Sequence, residues 1–324
     1  MSQLVQKVEM NGDRSTVQDH QLDPGSRLGR QVKLAAVKIP ILASNLIFAG
    51  WQRLWMPHLM RLQLVHQQLA YQGRPQDLFV ASYPKSGTTW LQMIIYQLTT
   101  DGEMNIPHIS CAIPHLENAA TARLGEMRDP RMVKTHLPYD LVPKGNGRYL
   151  YIVREGLDVA VSLYYHYKRY LHYAGTFEEF FKLFLADKVF YGGWFKHVSD
   201  WLRNKRNLKL KIICYENLVN DLWGSIEAIA EFCEIEIDIS QKQRILERCS
   251  FEFMRKHEAK FDIMYEGVSL EVARLDGSTR FLRNGKLGDG RIYVNEPSRE
   301  AYWEQRAKSV PEISTFLPVP ERGC

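Results

Sequence analysis

Residues 77–100, DLFVASYPKSGTTWLQMIIYQLTT, leave this chain few folds to choose from. A short apolar run from Asp77 to Tyr83 stops at Pro84, and a helical pattern begins at Thr88 and continues to Thr100. That order predicts a strand, a tight turn and a helix. Backbone N–H groups of such a turn converge on one point, and the helix N-terminus adds its positive end, so the stretch YPKSGTTW (Tyr83 to Trp90) is built to hold an anion. Lys85 places a point charge there, Gly87 lets the backbone approach closely, and Ser86, Thr88 and Thr89 supply hydroxyls. A capped helix after an ordinary turn explains the hydroxyls but not the lysine, which is costly to bury without an anion to face.

The same alternation repeats downstream. RMVKTH (Arg131 to His136), RYLYIVR (Arg148 to Arg154) and LKIICYE (Leu210 to Glu216) read as further strands. Helical stretches run from Gly156 to Leu171, Thr176 to Asp187, Gly193 to Asn204, Leu222 to Cys233 and Gln241 to Cys249. Strands and helices in turn predict an α/β domain with a mainly parallel central sheet flanked by helices. With 45% hydrophobic and 24% charged residues, a chain of 324 can bury the core this needs, and no fixed period points to a solenoid. Beyond Cys249 the pattern is less regular, and Gly277, Gly285, Gly288 and Gly290 mark a loop.

The chain divides into a tail at 1–33, an apolar and amphipathic helical extension at 34–72, and the α/β domain at 73–324. The extension holds the most apolar run, Leu34 to Trp51, interrupted by Lys38, Pro40 and Asn45 and short of what a spanning helix needs. Its pattern suits a helix packed on the domain, a partner-binding helix, or peripheral membrane contact. Five irregularly spaced cysteines, without a CxxC pair, favour a reducing compartment, and the polar first thirty residues lack a signal-peptide core; a cytoplasmic location, membrane-associated if the extension lies on a bilayer, is the expectation. A net charge of +5 suits an anionic small molecule or a membrane surface, while no basic stripe with interleaved aromatics points to nucleic acid. The GxxxxGK[ST] pattern is missing, and no carboxylate run waits for magnesium, which disfavours a kinase or ATPase.

At the level of motifs, YPKSGTTW resembles the phosphosulfate-binding loop of the cytosolic sulfotransferases, which use 3′-phosphoadenosine 5′-phosphosulfate (PAPS). Further motifs follow in the family's order. KTHLP (Lys134 to Pro138) places His136 at the carboxyl end of a strand, where open α/β sheets keep their ligand crevice. A histidine there serves structural or catalytic ends; the resemblance implies that His136 is the base and Lys134 an electrostatic helper. YIVREGLDVAVSLYYHY (Tyr151 to Tyr167) is similar to the 3′-phosphate motif and maps onto Arg154 and Ser162. ICYENL and RCSFEFM resemble segments near the adenine, mapping onto Tyr215 and Phe251, with Trp90 on another side of the base; Cys249 stands where a threonine is usual. FLRNGKLGDG (Phe281 to Gly290) resembles the loop that closes over the 3′-phosphate, mapping onto Arg283, Asn284 and Gly285. Here Asn284 replaces a lysine and Gly290 a tryptophan, so weaker cofactor binding is the expectation.

The resemblance covers about Asp77 to Trp303 and implies a P-loop-like domain that moves a sulfuryl group in line from PAPS to a hydroxyl or amine of a small acceptor. His136 would take the acceptor proton, and Lys85, with the loop, would hold the transferring group; no metal is expected. NIPHISCAIPHLEN (Asn105 to Asn118) aligns with an acceptor-pocket loop in which His115 replaces an aromatic. A polar acceptor or a solvated histidine fits it, and a lipophilic acceptor would suit an extension lying on a membrane. Tyr164, Tyr165, Tyr167, Tyr170 and Tyr173 wall a pocket or belong to the core. The competing readings are a PAPS-binding regulator without turnover and, further off, a P-loop kinase. The family's usual dimer motif is not preserved in RIYVNEPSRE (Arg291 to Glu300), which leaves the oligomeric state open.

Overall fold

The computed structural model describes residues 71–317, apart from 72, 118–120, 172, 190–191, 263, 266–267 and 270–279. The tail expected at 1–33 and the extension expected at 34–72 lie, Tyr71 aside, outside the described residues. In chain order the main elements are β1 (Leu78–Ser82), α1 (Thr88–Thr99), α2 (Ile109–Ala112), α3 (Thr121–Glu126), β2 (Met132–Thr135), β3 (Arg148–Val153), α4 (Gly156–Tyr170), α5 (Phe177–Leu185) and α6 (Trp194–Arg203). They continue with β4 (Lys209–Cys214), α7 (Tyr215–Asn220), α8 (Leu222–Cys233), α9 (Lys242–Arg248), α10 (Phe251–Lys256), a two-stranded ribbon β5 (Met264–Tyr265) and β6 (Val268–Ser269), α11 (Asp289–Tyr293) and α12 (Glu296–Ser309).

Strands β1 to β4 form a parallel sheet in the order β2-β1-β3-β4. Leu78 stands opposite both Met132 and Arg148, and Val153 opposite Cys214. Every residue of β1 is buried, as a strand covered on both faces requires. Alternate side chains then feed two cores. Phe79, Ala81, Tyr149 and Tyr151 pack with Leu163 of α4, Phe180 of α5 and Trp194 and Trp201 of α6. Leu78, Val80, Leu150 and Ile152 pack with Leu91 and Ile94 of α1, Ile226 of α8 and Ile245 of α9. Since β2 lies on one side of β1 and β3 on the other, the connections part at the carboxyl end of β1. Open α/β sheets bind ligands at that point.

Two elements depart from the sequence reading. The fourth strand ends at Cys214 rather than Glu216, and Tyr215 begins α7. The segment after Gly290 holds the four-turn helix α12, which sequence periodicity does not reveal because its fully buried residues are Tyr302 and Arg306 in an otherwise polar run. Asn295 caps it, its side chain accepting from the Ser298 amide at 3.0 Å. Among the described residues no helix is long and apolar enough to cross a membrane.

Candidate active site

The turn after β1 is set by backbone conformations that few residues adopt. Lys85 has φ 68° and Gly87, which caps α1, has φ 105°. A Cβ on Gly87 would stand 2.7 Å from Cδ2 of Tyr215 and 3.0 Å from Cδ1 of Ile152, so only glycine fits. The Thr88 hydroxyl is tied to the Ser82 hydroxyl at 2.5 Å. Ser86, 1% exposed, has a side-chain oxygen with no hydrogen-bond partner among the described residues. Burial, the nearby Lys134, and Arg154 and Arg169 pull the Lys85 ammonium down to about 8, against the pull of Asp262. A buried cation and an orphaned hydroxyl at a helix N-terminus are what an anion would satisfy.

His136 follows β2 directly. Its Nδ1 lies 3.0 Å from the Ser82 carbonyl oxygen. A carbonyl only accepts, so Nδ1 carries the proton in this contact and Nε2 keeps its lone pair. Burial, Lys134 and His115 hold the imidazole well below its ordinary range despite the Ser82 carbonyl, so it is neutral at pH 7. Lys134, opposite Val80 of β1, is lowered by burial. Beside β2 the chain runs parallel through His115, with Leu116 N donating to the Lys134 carbonyl at 2.7 Å and Lys134 N to the Pro114 carbonyl at 2.9 Å. That pairing sets the His115 ring edge-on to His136, 5.3 Å between centroids, and its Nε2 3.1 Å from Glu117. His115 thus stands beside the base with one ring nitrogen facing the Glu117 carboxylate.

On the other side of the turn, Arg154 follows β3 directly and is 7% exposed. Its guanidinium stacks over Tyr215 at 4.2 Å, donates to the Lys286 carbonyl at 3.2 Å and faces Asp158 at 3.4 Å, while its Nε has no partner among the described residues. Trp90 stands edge-on to Tyr215 at 5.5 Å and donates its indole N–H to the Cys249 carbonyl at 2.7 Å. The main chain of Cys249 thus supplies a fixed contact; its thiol is fully buried and pushed up by burial. A Cβ on Gly285, at φ 63°, would meet the Phe251 ring at 2.5 Å. Arg283 is ion-paired with Asp289, and Asn284 donates to both Asp289 oxygens at 3.0 and 2.9 Å. Asp158 accepts the Gly288 amide at 3.0 Å and the Gly290 amide at 2.8 Å, which ties this loop to α4.

Most of these groups line a cavity of about 320 Å³. It is lined by Lys85, Gly87, Thr88, Thr89 and Trp90 of the turn, by His115, Lys134 and His136, by Arg154, Ser162, Tyr215 and Phe251, and by Arg283, Asn284 and Gly285. Of the residues that the resemblance maps onto catalytic, cofactor or acceptor positions, Ser86 alone is not on its wall. Of the tyrosines of α4, Tyr164 and Tyr167 belong to the core, packing on Phe180, and Tyr165 bonds to Tyr293; none lines the cavity. The wall also includes His108, Ser110, His166 and Asp262, which the sequence reading missed. His166 carried a signal, lying one helical turn after Ser162 and so on the same face. Asp262 carried none. Its carboxylate, held by Arg169 and Tyr170, and its carbonyl, 2.5 Å from His108 Nε2, are brought there by tertiary folding. Among the described residues no group of three His, Cys, Asp or Glu side chains is arranged to hold a metal ion.

Comparison with known proteins decides the family. Residues 75–305 match the family described as the sulfotransferase domain. The chain belongs to the sulfotransferase family. It is 32% identical to mouse sulfotransferase 1B1 over 250 residues, 72% of this chain and 82% of that protein. With human sulfotransferase 1E1 it shares 31% identity over 268 residues, 76% and 90% of the two chains. Among solved structures it is similar to mouse sulfotransferase SULT7A1 complexed with PAP, at a TM-score of 0.62 and 26% identity, covering 76% of this chain and 89% of the other. This sulfotransferase therefore has the P-loop-like α/β fold of its relatives, and the cavity at the end of β1 is its candidate active site.

Proposed function

We propose that this sulfotransferase moves the sulfuryl group of PAPS to a hydroxyl or amine of a small acceptor, with His136 as the base. One observation carries the reading: a neutral imidazole with its Nε2 lone pair uncommitted shares a cavity with a lysine-bearing anion turn. The residues fit the donor. Ser86 Oγ and Arg154 Nε are buried donors with no partner among the described residues, and the cradle at Gly87 has no room for a side chain. The complex of the mouse relative with PAP supports the same nucleotide. When bound, PAPS supplies an activated sulfuryl group.

Each residue then has a task. The turn amides, Ser86, Thr88 and Thr89 orient the 5′ end, and Lys85 offsets negative charge on the oxygen that departs. Arg154, Ser162 and Arg283 hold the 3′-phosphate, with Asn284 and Gly285 beside it, and Tyr215, Trp90 and Phe251 enclose the adenine. His136 Nε2 accepts the acceptor proton as the nucleophile advances, and Lys134 keeps the imidazole deprotonated beforehand. Positioning and charge stabilisation supply most of the rate in transfers of this type. His108, His115, Ser110, His166 and Asp262 favour a polar acceptor near the base. A cytoplasmic location completes the reading.

The test is thermal unfolding with 3′-phosphoadenosine 5′-phosphate (PAP) and with ATP and magnesium, on wild type and Arg154→Ala, followed by transfer from labelled PAPS to a panel starting with 4-nitrophenol. At 100 times its dissociation constant, PAP should add about 2.7 kcal/mol of stability to the wild type. Arg154→Ala should lose most of that gain. Stabilisation by ATP and magnesium but not by PAP would overturn the proposal.

A further inference from the structure

His136 is held by its main chain as firmly as by its ring. Its N–H donates to Oε1 of Glu117 at 2.6 Å, and the Thr135 hydroxyl donates to the same oxygen at 3.0 Å. Its carbonyl lies 3.2 Å from Nε2 of His197. A carbonyl only accepts, so His197 is protonated on Nε2, and its Nδ1 accepts the Tyr151 hydroxyl at 2.9 Å. Next along the chain, the Leu137 carbonyl accepts the Trp201 indole N–H at 3.2 Å. Glu117 comes from the segment beside β2, and His197 and Trp201 from α6, so two parts of the fold converge on the peptides around one residue, with Tyr151 of β3 holding His197 in turn. Neither Glu117 nor His197 lines the cavity.

We propose that Glu117 and His197 are positioning residues for sulfuryl transfer, clamping the N–H and the C=O of His136 so that its Nε2 points at the acceptor. The inference rests on the reading of His136 as the base. A carboxylate and an imidazole in these places are not explained by packing, since buried polar groups are kept only where their bonds are made. The ring bond to Ser82 fixes rotation about the side chain, and the two main-chain bonds fix where that side chain starts. Displacing a reacting group by about 1 Å costs roughly a hundredfold in rate.

The test uses Glu117→Ala, Glu117→Gln, His197→Phe and His197→Gln in the full chain, with PAPS as donor and 4-nitrophenol as probe acceptor. Glu117→Ala and His197→Phe should lower kcat by about ten- to a hundredfold while PAP affinity stays within about twofold. The glutamine variants, which still offer an acceptor for the N–H and a donor for the C=O, should return to within about fivefold of wild type. Nitrogen-15 spectra of the imidazoles with PAP bound give a readout free of turnover: one tautomer for His136 in wild type, a mixture in Glu117→Ala and His197→Phe. Unchanged kcat and an unchanged tautomer in both variants would overturn the clamp, as would an equal loss of PAP affinity and kcat. If those two variants do not fold, a tenfold or larger loss in both glutamine variants overturns it instead, and near-wild-type values support it. Absence of transfer by the wild type, with a single His136 tautomer retained, would count against the proposed function and leave the clamp standing.

Discussion

Lys85 combines a left-handed backbone with a buried ammonium, and both are unfavourable in isolation. A bound anion repays the second by restoring the charge that burial and neighbouring cations weaken. Free Lys85 loses its proton near pH 8, whereas phosphate keeps its charge above pH 7, so nucleotide binding should weaken as pH rises through that value. Calorimetry should show PAP affinity falling by about twentyfold between pH 7.5 and 9.5. In Lys85→Arg, whose charge does not titrate, the affinity should be flat over the same range. A flat profile in the wild type would show that Lys85 does not face the anion. Asn284 commits its amide to both oxygens of Asp289, the carboxylate that also pairs with Arg283.

Among the elements, the loop from Phe281 to Gly290 is fastened to α4 by Asp158, whose oxygens take two of its amides. That docking explains the glycine found where the family has tryptophan. A Cβ on Gly290 would lie 2.4 Å from the Leu157 Cβ and 2.6 Å from the Leu157 backbone carbon. Gly290→Ala should therefore lower stability by about 1–3 kcal/mol and weaken PAP binding several-fold, whereas restoring the tryptophan should be worse. Urea unfolding and PAP titration measure both, and an alanine variant with wild-type values would show that the loop stands off the helix in solution. The strand-turn-helix unit and the stretch from Arg154 to Ser162 were legible in the sequence because their cavity-lining residues are neighbours along the chain. Glu117 and His197 were not, because they meet His136 from 19 and 61 positions away. Likewise α12 has too few apolar residues to show a period, and its place is set by Tyr302 donating to Glu155 and by the Arg306–Glu155 ion pair.

For the molecule as a whole, the site region has a distinctive response to acid. Burial keeps His136 and His108 below the ordinary histidine range, and it pulls His166 to about 2 and His197 to about 4. The unfolded chain binds these protons near pH 6.5 and the folded one does not. Their contribution is therefore fully present above that pH and is lost as pH falls below it, by about 1.4 kcal/mol per pH unit for each histidine. Urea midpoints should drop steeply from pH 7 to 5.5, and less steeply in His166→Gln; equal slopes would show that His166 titrates freely. The sheet and the sequence motifs together placed the cavity at the parting of β2 and β3, since connection order and strand ends follow from the pattern. The polar wall of His108, His166 and Asp262 depended on distant segments and did not. Finally, the four parallel strands all lie within residues 78–214, yet the cavity draws on residues as far as Gly285. A chain emerging from the ribosome thus presents the residues of its sheet and lysine turn before those of the loop that carries Arg283. Synthesis therefore releases the last wall residues of the cavity after the whole sheet, and the cavity cannot be complete until Gly285 has emerged.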